Sequence, residues 1–593
     1  MGRDATTSAL SGPAVGPHGK VMLRRLFLAM RDDAGKARAC SAAARNEAGL
    51  AAWHRGELAN AESELRAALD ADPGFAPAYG NLGMVLWEQR RIDEGLATLR
   101  RGVEIDPSHP GVRINLANAL AIGGVPGEAL VHYREVLRRD PCHPLATANA
   151  LRPMLEVCDW DGAEALVDGL VARWRADPAD GVRDCVMPFL SQLVNVPQGM
   201  RLDAARHHSR LVAAEVGHLP SPPRSRRPRG GRLRIGYLSA DFHDHATAHL
   251  ATGVFEHHDR DRFEVHAYSF GIDDGSALRR RLVTAFEDFH DVRTLPHAEL
   301  ARRIAADGID VLVDLKGYTG EARPQVLALR PAPVQASWLG YPGTMAAPFI
   351  DCTIADAVVI PPGAQHEYGE TIVRLPDSYQ ANDDRQPIAQ ETPPRAALGL
   401  PESAFVFACF NDPYKIERTV FAIWMRVLAA VPGSVLWLLG GHANDVLQRA
   451  AGAAGIDPQR LVFAGRLPKA EHLARHRAAD LFLDTHTCCA HTTASDALWA
   501  RLPVLACPGE GFASRVSASL LYAVGLGELV CASREDYERT AIALAGDRGR
   551  LAALRARLAH NRTRLPLFDT ARFTRNLESA YLALADRGAA RAA

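Results

Sequence analysis

Residues 233–250 read LRIGYLSADFHDHATAHL. A short apolar run of strand length ends in small and acidic residues, and a stretch able to form a helix follows. The pattern recurs: residues 264–268 (EVHAY), 311–315 (VLVDL) and 334–338 (VQASW) are β-rich runs separated by helical stretches. Strands alternating with helices predict a parallel, doubly wound sheet. A second set follows at 405–410, 435–439, 461–463, 481–484 and 504–506, with helices expected over 418–431, 470–476, 492–500 and 514–524. Residues 386–401, rich in Pro and Ala, separate the two sets.

Two Rossmann-like lobes in tandem place a ligand cleft between the carboxyl ends of their strands, a layout that many nucleotide-sugar transferases use. The domains read as a first lobe over 233–385, a linker over 386–401 and a second lobe over 402–593. Closing helices over 548–564 and 570–587 have the apolar periodicity to pack back across both lobes.

Upstream, Pro73, Pro107 and Pro141 recur every 34 residues. Between them Leu82 aligns with Leu116, Gly83 with Ala117, Ala61 with Gly95, Ala129 and Ala163, and Leu65 with Leu99 and Tyr133. Small residues where two helices cross, large apolar ones between them and proline after the second helix make the tetratricopeptide pattern. About three repeats fill 49–140. Helices continue to 219, those over 182–216 being expected to cap the stack, and residues 1–48 form an N-terminal helical or flexible segment. Residues 220–232, containing SPPRSRRPRGGR, read as a basic linker.

The chain has 593 residues, with 68 Lys+Arg against 69 Asp+Glu and 47% hydrophobic residues. That balance argues against a dedicated nucleic-acid binder. No apolar run approaches the length needed to span a bilayer, and a signal-peptide layout is absent at the amino terminus, so neither nucleic acid nor membrane is an expected partner. Met1-Gly2 with Thr6 fits a myristoylation pattern too short to weigh. The ten cysteines show no C-x-x-C spacing, which points away from a disulfide framework or structural zinc and towards the cytoplasm.

Four polar clusters fall at predicted strand ends. Asp241, His243, Asp244, His245, Thr247 and His249 follow the first strand; with no distant third ligand evident, hydrogen bonding is favoured over a metal site. Leu339-Gly340-Tyr341-Pro342-Gly343-Thr344 is a rigid turn that equally suits structure or ligand approach. In Asn411-Asp412-Pro413-Tyr414-Lys415, a lysine at the turn can neutralise a phosphate leaving group, although a lone lysine is usually solvated. In residues 484–496 (DTHTCCAHTTASD), a helix opening on threonines offers free N–H groups to a diphosphate, while adjacent Cys488 and Cys489 suit packing.

Together the stretches RIGYLSADFHDHATAHL, ALRPAPVQASWLGYPGT, FNDPYKI, LPKAEHL and CCAHTTASDALWARLPVLACPGEGFASRVSASLL resemble the catalytic region of the protein O-linked N-acetylglucosamine transferase family, which includes the plant SPINDLY proteins. The resemblance spans residues 233–584 and implies a two-lobed GT-B glycosyltransferase behind a tetratricopeptide solenoid. It implies inverting transfer of N-acetylglucosamine from UDP-GlcNAc to Ser or Thr of proteins docked on the repeats, with no metal and no resident cofactor. It puts His245, with Asp241, in the catalytic set, beside Thr247 and His249 in the sugar and acceptor pocket. Leu339, Gly340 and Pro342 would contact the sugar, and Lys415 would stabilise the departing diphosphate. Asn411 joins the substrate-binding set. Lys469, His472 and Arg475 would hold the uridine and ribose, Cys488 would lie near the sugar, His491, Thr492 and Thr493 would bind the diphosphate, and Asp496 the ribose hydroxyls.

The chain departs from animal members in three ways. Asp412 replaces a Gln and should repel a diphosphate unless it turns away or pairs with a cation. Residues 186–201 (VMPFLSQLVNVPQGMR) lack a further active-site His, leaving the general base open. The segment between the lobes is short. Two other readings stand beside the first: the same fold using GDP-fucose, which the AHTTASD motif disfavours, and a nucleotide-binding repeat scaffold, which Lys415 and His491 disfavour.

Overall fold

The computed structural model describes residues 37–178, 187–223 and 231–592. Part of the basic linker (224–230), part of the expected capping helices (182–186) and residues 1–36 lie outside the described residues. The chain divides into two compact units between Leu166 and Val167.

In the first unit, antiparallel helix pairs repeat. Helices Leu58–Ala71, Ile92–Ile105 and Pro126–Arg139 each stop just before one of the 34-spaced prolines. Glycine and alanine let the helices touch: a Cβ on Gly95 would stand 2.8 Å from the Gly83 carbonyl oxygen, and one on Gly83 would strike Leu99. Leu65, Leu99 and Tyr133 fill the seams and are fully buried. Asn81, Asn115 and Asn149 also recur every 34 residues, and their side-chain amides donate to Asn46 Oδ1, the Gly80 carbonyl and Asn118 Oδ1 across adjacent helices. Each repeat is thus tied to its neighbour by a hydrogen bond inside an apolar seam, where an unmade bond would be costly.

The second unit holds two parallel sheets. The first has strands β1 (Leu233–Ser239), β2 (Phe263–Ser269), β3 (Asp288–Asp291), β4 (Val311–Asp314), β5 (Val334–Ser337), β6 (Cys352–Asp356) and β7 (Thr371–Leu375). Their order is β3-β2-β1-β4-β5-β6-β7. The second has β8 (Val406–Cys409), β9 (Val435–Leu439), β10 (Leu461–Ala464), β11 (Leu481–Leu483) and β12 (Val504–Leu505), in the order β10-β9-β8-β11-β12. The chain reverses direction between β1 and β4 and between β8 and β11, so each sheet opens its ligand crevice at that point.

Two helical segments, Gln198–Val216 and Arg548–Asn561, dock elsewhere than the sequence suggests, while the terminal helix packs back as expected. Gln198–Val216, expected to cap the repeats, buries Ala205, Val212 and Val216 in the first lobe's core beside Tyr318 and Tyr341. The terminal helix Thr570–Ala592 returns to the first lobe: Phe573, Leu577, Tyr581 and Leu584 join the core of β1, β4 and β5, and the Phe573 ring stacks on Trp338 at 5.9 Å. The preceding helix, Arg548–Asn561, stays with the second lobe, where Arg555 reaches the Ala479 carbonyl. Each of these helices buries several large apolar side chains, roughly 1.5–3 kcal/mol apiece, and this decides where it docks.

Residues after β7 bridge the lobes. Asp356 Oδ2 accepts from the Tyr379 amide at 2.8 Å and from Ser519 Oγ at 2.7 Å. Gln380 Nε2 donates to Ser495 Oγ at 2.6 Å.

Candidate active site

At the end of β1, Asp241 is buried and its carboxylate meets three side chains: Lys316 Nζ at 2.7 Å, Thr247 Oγ1 at 3.1 Å and His245 Nδ1 at 3.4 Å. Burial pushes its carboxyl up, but Lys316 and, less strongly, His245 and Thr247 outweigh that and hold it below the usual carboxylate range. Lys316 follows β4, whose last residue, Asp314, accepts from the Lys316 and Gly317 amides. Buried in the sheet, the Asp314 carboxyl is pushed up to about 7.

His245 is the N-cap of helix Ala246–His257, and its Nδ1 accepts from the Thr247 amide at 3.2 Å. The same Nδ1 lies 3.4 Å from Asp241 Oδ2, so the ring is held between the Thr247 amide and the Asp241 carboxylate. Partial burial holds this imidazole below its ordinary range, Lys316 working in the same direction and Asp241 against it. His249, one turn on, pairs with Asp244 Oδ1 at 2.7 Å. Lys469 and Asp496 of the second lobe both bear electrostatically on His249, so the two clusters face one another.

The turn after β5 presses on the turn after β4. A Cβ on Gly340 would lie 2.0 Å from the Leu315 carbonyl oxygen, so only glycine fits. Leu339 holds φ 74°, a left-handed conformation unusual for a leucine. Such strain persists only where the surroundings over-determine it. Pro342 is buried behind them.

In the second lobe, Asn411 follows β8 and Asp484 follows β11. Asn411 Nδ2 donates to Thr485 Oγ1 at 2.9 Å, and its Oδ1 accepts from Thr493 Oγ1. Asp484 Oδ1 gathers the amides of Thr485 and Ala490 at 2.8 and 2.7 Å, folding residues 485–490 into a tight loop. Burial pushes its carboxyl up to about 6. Lys415 Nζ donates to the Cys489 carbonyl of that loop at 2.9 Å. Burial works against its charge, yet Cys488, Tyr414, Cys489 and Asp484 outweigh it and hold the ammonium above its ordinary pKa.

The loop delivers the chain to helix Thr492–Trp499, which has no side-chain cap. Its first-turn N–H groups therefore lack intrahelical acceptors and carry the positive end of the helix dipole. The His491 ring donates Nε2–H to the Ala513 carbonyl at 3.0 Å, and burial lowers its pKa to about 3. The neutral ring is therefore committed to the fold, and what position 491 offers an anion is the head of the helix. Cys488 is buried, its carbonyl accepting from Thr485 Oγ1 at 2.7 Å.

Lys469 Nζ meets Asp496 Oδ1 at 2.5 Å, and His472 Nε2 lies 3.8 Å from Asp496 Oδ2. Arg475 turns the other way. Its guanidinium lies 4.6 Å from the centre of the Phe410 ring and donates to the Gly465 carbonyl at 2.6 Å, fully inside the lobe. Asp412 pairs with Arg466 at 2.9 Å, which removes the repulsion that its charge would otherwise set against an anion.

Three residues escaped the sequence reading. Lys316 and Asp314 end β4 as Asp241 follows β1, and the strand-end rule applied to VLVDLKG would have found them. Arg201, the last residue of VMPFLSQLVNVPQGMR, donates to the Ser191 and Val194 carbonyls and is buried. Its charge interacts with Tyr341 of the first lobe and Cys488 of the second. Among the described residues, one group has metal-ligand proximity: Glu264, His266 and Asp288 on β2 and β3. It shares no residue with either cluster.

Comparison with known proteins gives the family and the fold. A family model described as glycosyl transferase family 41 matches residues 157–393 and 380–577, and a tetratricopeptide repeat model matches 52–113. The probable UDP-N-acetylglucosamine--peptide N-acetylglucosaminyltransferase SEC of Arabidopsis thaliana is 36% identical over 441 residues, covering 72% of this chain and 45% of that protein. The UDP-N-acetylglucosamine--peptide N-acetylglucosaminyltransferase of Caenorhabditis elegans is 30% identical over 543 residues, covering 71% and 47%. A probable SPINDLY enzyme of Solanum lycopersicum is 32% identical over 358 residues, covering 59% and 38%. The chain thus spans about half the length of the curated relatives it matches most extensively. A solved structure of a Thermobaculum terrenum O-GlcNAc transferase mutant aligns with TM-score 0.67 and 28% identity, covering 94% of this chain and all of that one. The fold class is the one expected from the sequence, helical repeats before a two-lobed GT-B glycosyltransferase, and the chain belongs to glycosyl transferase family 41.

Proposed function

We propose that the protein transfers N-acetylglucosamine from UDP-GlcNAc to serine or threonine hydroxyls of polypeptides, inverting the anomeric carbon. The observation that carries this reading is the convergence of Lys415, the Asn411–Thr493 pair and an uncapped helix head at the carboxyl end of the second sheet, facing the Asp241–His245 cluster. A diphosphate set against the N–H groups of Thr492 and Thr493 meets fixed positive charge where its own negative charge grows during departure. Lys415, held rigidly on the Cys489 carbonyl, supplies the nearby cation. Asp496, with Lys469 and His472, takes the ribose and base, and Arg475 positions that helix from beneath.

In the first lobe, the His245 ring orients a sugar or acceptor oxygen. Asp241 and Lys316 hold the loop that carries it. Leu339, Gly340 and Pro342 form the wall against the sugar, with Thr247, His249 and Cys488 completing the lining. The reaction then rests on positioning a weak nucleophile and on leaving-group charge. With that charge met by Lys415 and the helix head, the reading assigns no role to a metal or resident cofactor, and the UDP-sugar is a substrate. No helix among the described residues is long and apolar enough to cross a membrane. We place the enzyme in the cytoplasm, with the repeats presenting acceptor proteins.

Calorimetric titration tests the donor. UDP should bind more tightly than GDP, and Lys415→Ala should weaken UDP binding. Preference for GDP would move the protein to fucose transfer, while UDP binding without turnover on any donor would leave a nucleotide-binding scaffold.

A further inference from the structure

At the opposite end of helix Thr492–Trp499 from the candidate diphosphate site lies a cavity of about 420 Å³, lined by Gln386, Ile388, Arg477, Trp499, Ala500, Arg501 and Arg562. Its size is that of a small-molecule pocket. Three guanidinium groups reach it from three separate elements. None of the three forms an ion pair among the described residues. Arg477 donates to the Ala389 and Gln390 carbonyls and to Thr392 Oγ1, and Arg562 donates to the Trp499 carbonyl, all neutral acceptors. Burial depresses the Arg562 pKa, and Arg501 and Arg477 depress it further, so these like charges repel with no carboxylate between them.

Two of the lining residues each keep one polar atom unpaired behind the cavity wall. Arg562 Nε has no acceptor, and Gln386, only 8% exposed, leaves its Oε1 without a donor while its Nε2 bonds the His249 carbonyl. Such atoms are costly to bury unsatisfied. Arg501 itself sits at φ 67° just past the helix end, where glycine is usual. An arginine there costs backbone energy, which is understandable if its guanidinium has work in the cavity. The remaining walls are apolar: the Trp499 indole, over which the Arg562 guanidinium lies at 4.4 Å, and Ile388.

We propose that this cavity binds a small organic phosphate, a phosphomonoester with a compact apolar or planar body. Its phosphate oxygens would lie among Arg477, Arg501 and Arg562, and its body against Trp499 and Ile388. Forked guanidinium groups suit a phosphate, and their charge is compensated when it binds. This site is separate from the one proposed for the donor and does not depend on the identity of that donor.

The test is calorimetric titration of the full-length protein with phenyl phosphate and with inorganic phosphate. Phenyl phosphate should bind and do so more tightly than inorganic phosphate. Arg501→Gly, which also relieves the backbone, should weaken it by about tenfold or more, Arg477→Gln should weaken it likewise, and Lys415→Ala should leave it unchanged. No binding at millimolar ligand, or full-strength binding by both arginine variants, would overturn the proposal. So would loss in Lys415→Ala alone, which would move the phosphate to the other site. Equal affinity for the two ligands would overturn the assignment to an organic phosphate.

Discussion

Lys415 and Asp241 show how single charged groups are made to serve the site. Lys415 is fixed to a main-chain carbonyl rather than to a carboxylate, so its charge stays available to a ligand. Lys415→Ala should cut transfer about 100-fold or more while the protein stays folded, as removal of one fixed donor does elsewhere, checked by initial rates and a thermal melt. Asp241 holds Lys316 and Thr247 together at the end of β1. Asp241→Asn leaves the Lys316 ammonium buried without its counter-charge and should cost about 3 kcal/mol in urea denaturation. The sign with pH follows. The folded Asp241 pKa lies below the unfolded value of about 3.9, so its contribution is present above that value and is lost as pH falls through the folded pKa. Asp314 runs the other way: raised to about 7, it favours the fold at low pH and gives that up as pH rises from about 4 to about 7. Stability against pH in Asp241→Asn should show a shallower acid-side fall, by the share that Asp241 contributes, and keep the decline towards neutrality.

Loops at strand ends are the elements that make the cleft, and their tolerances are tight. Gly340→Ala puts a methyl group into the rigid Leu315 carbonyl, so it should destabilise by about 2 kcal/mol or more in chemical denaturation. An unchanged midpoint would show that the two turns can separate. The strands that frame these loops were largely legible. β1, β4, β8 and β9 are near-continuous apolar runs because both faces of a parallel sheet are covered. β3 was not, since its residues DFHD alternate polar and apolar on an edge strand, and neither were β6 and β7, which extend the first sheet beyond the turn at Gly340. The candidate site was legible where motifs are contiguous, as in residues 241–249 and 484–496. It was not where partners are distant in sequence: Asp412 looked unfavourable because Arg466, 54 positions on, supplies its cation. Arg475 was carried over as a ligand group by resemblance, which does not show that its guanidinium turns inward onto Phe410.

On the scale of the whole molecule, one unit repeats helices and the other builds a two-lobed cleft closed by a helix that returns to the first lobe. Spacing of prolines and small residues revealed the repeats, and apolar periodicity showed that the closing helices pack back, but not that Thr570–Ala592 alone reaches the first lobe, because the destination of an amphipathic helix depends on which core is left open. If the repeats serve acceptors, deleting residues 1–140 should impair transfer to protein more than hydrolysis of UDP-GlcNAc; equal losses would assign them to folding. Adding a chelator should leave the rate unchanged. The most direct measurement incubates the purified protein and a protein extract with UDP-GlcNAc and reads acceptor peptides by mass spectrometry. The account predicts a HexNAc mass gain on serine or threonine that disappears with Lys415→Ala. UDP binding without any such gain, or a gain undiminished in that variant, would contradict it.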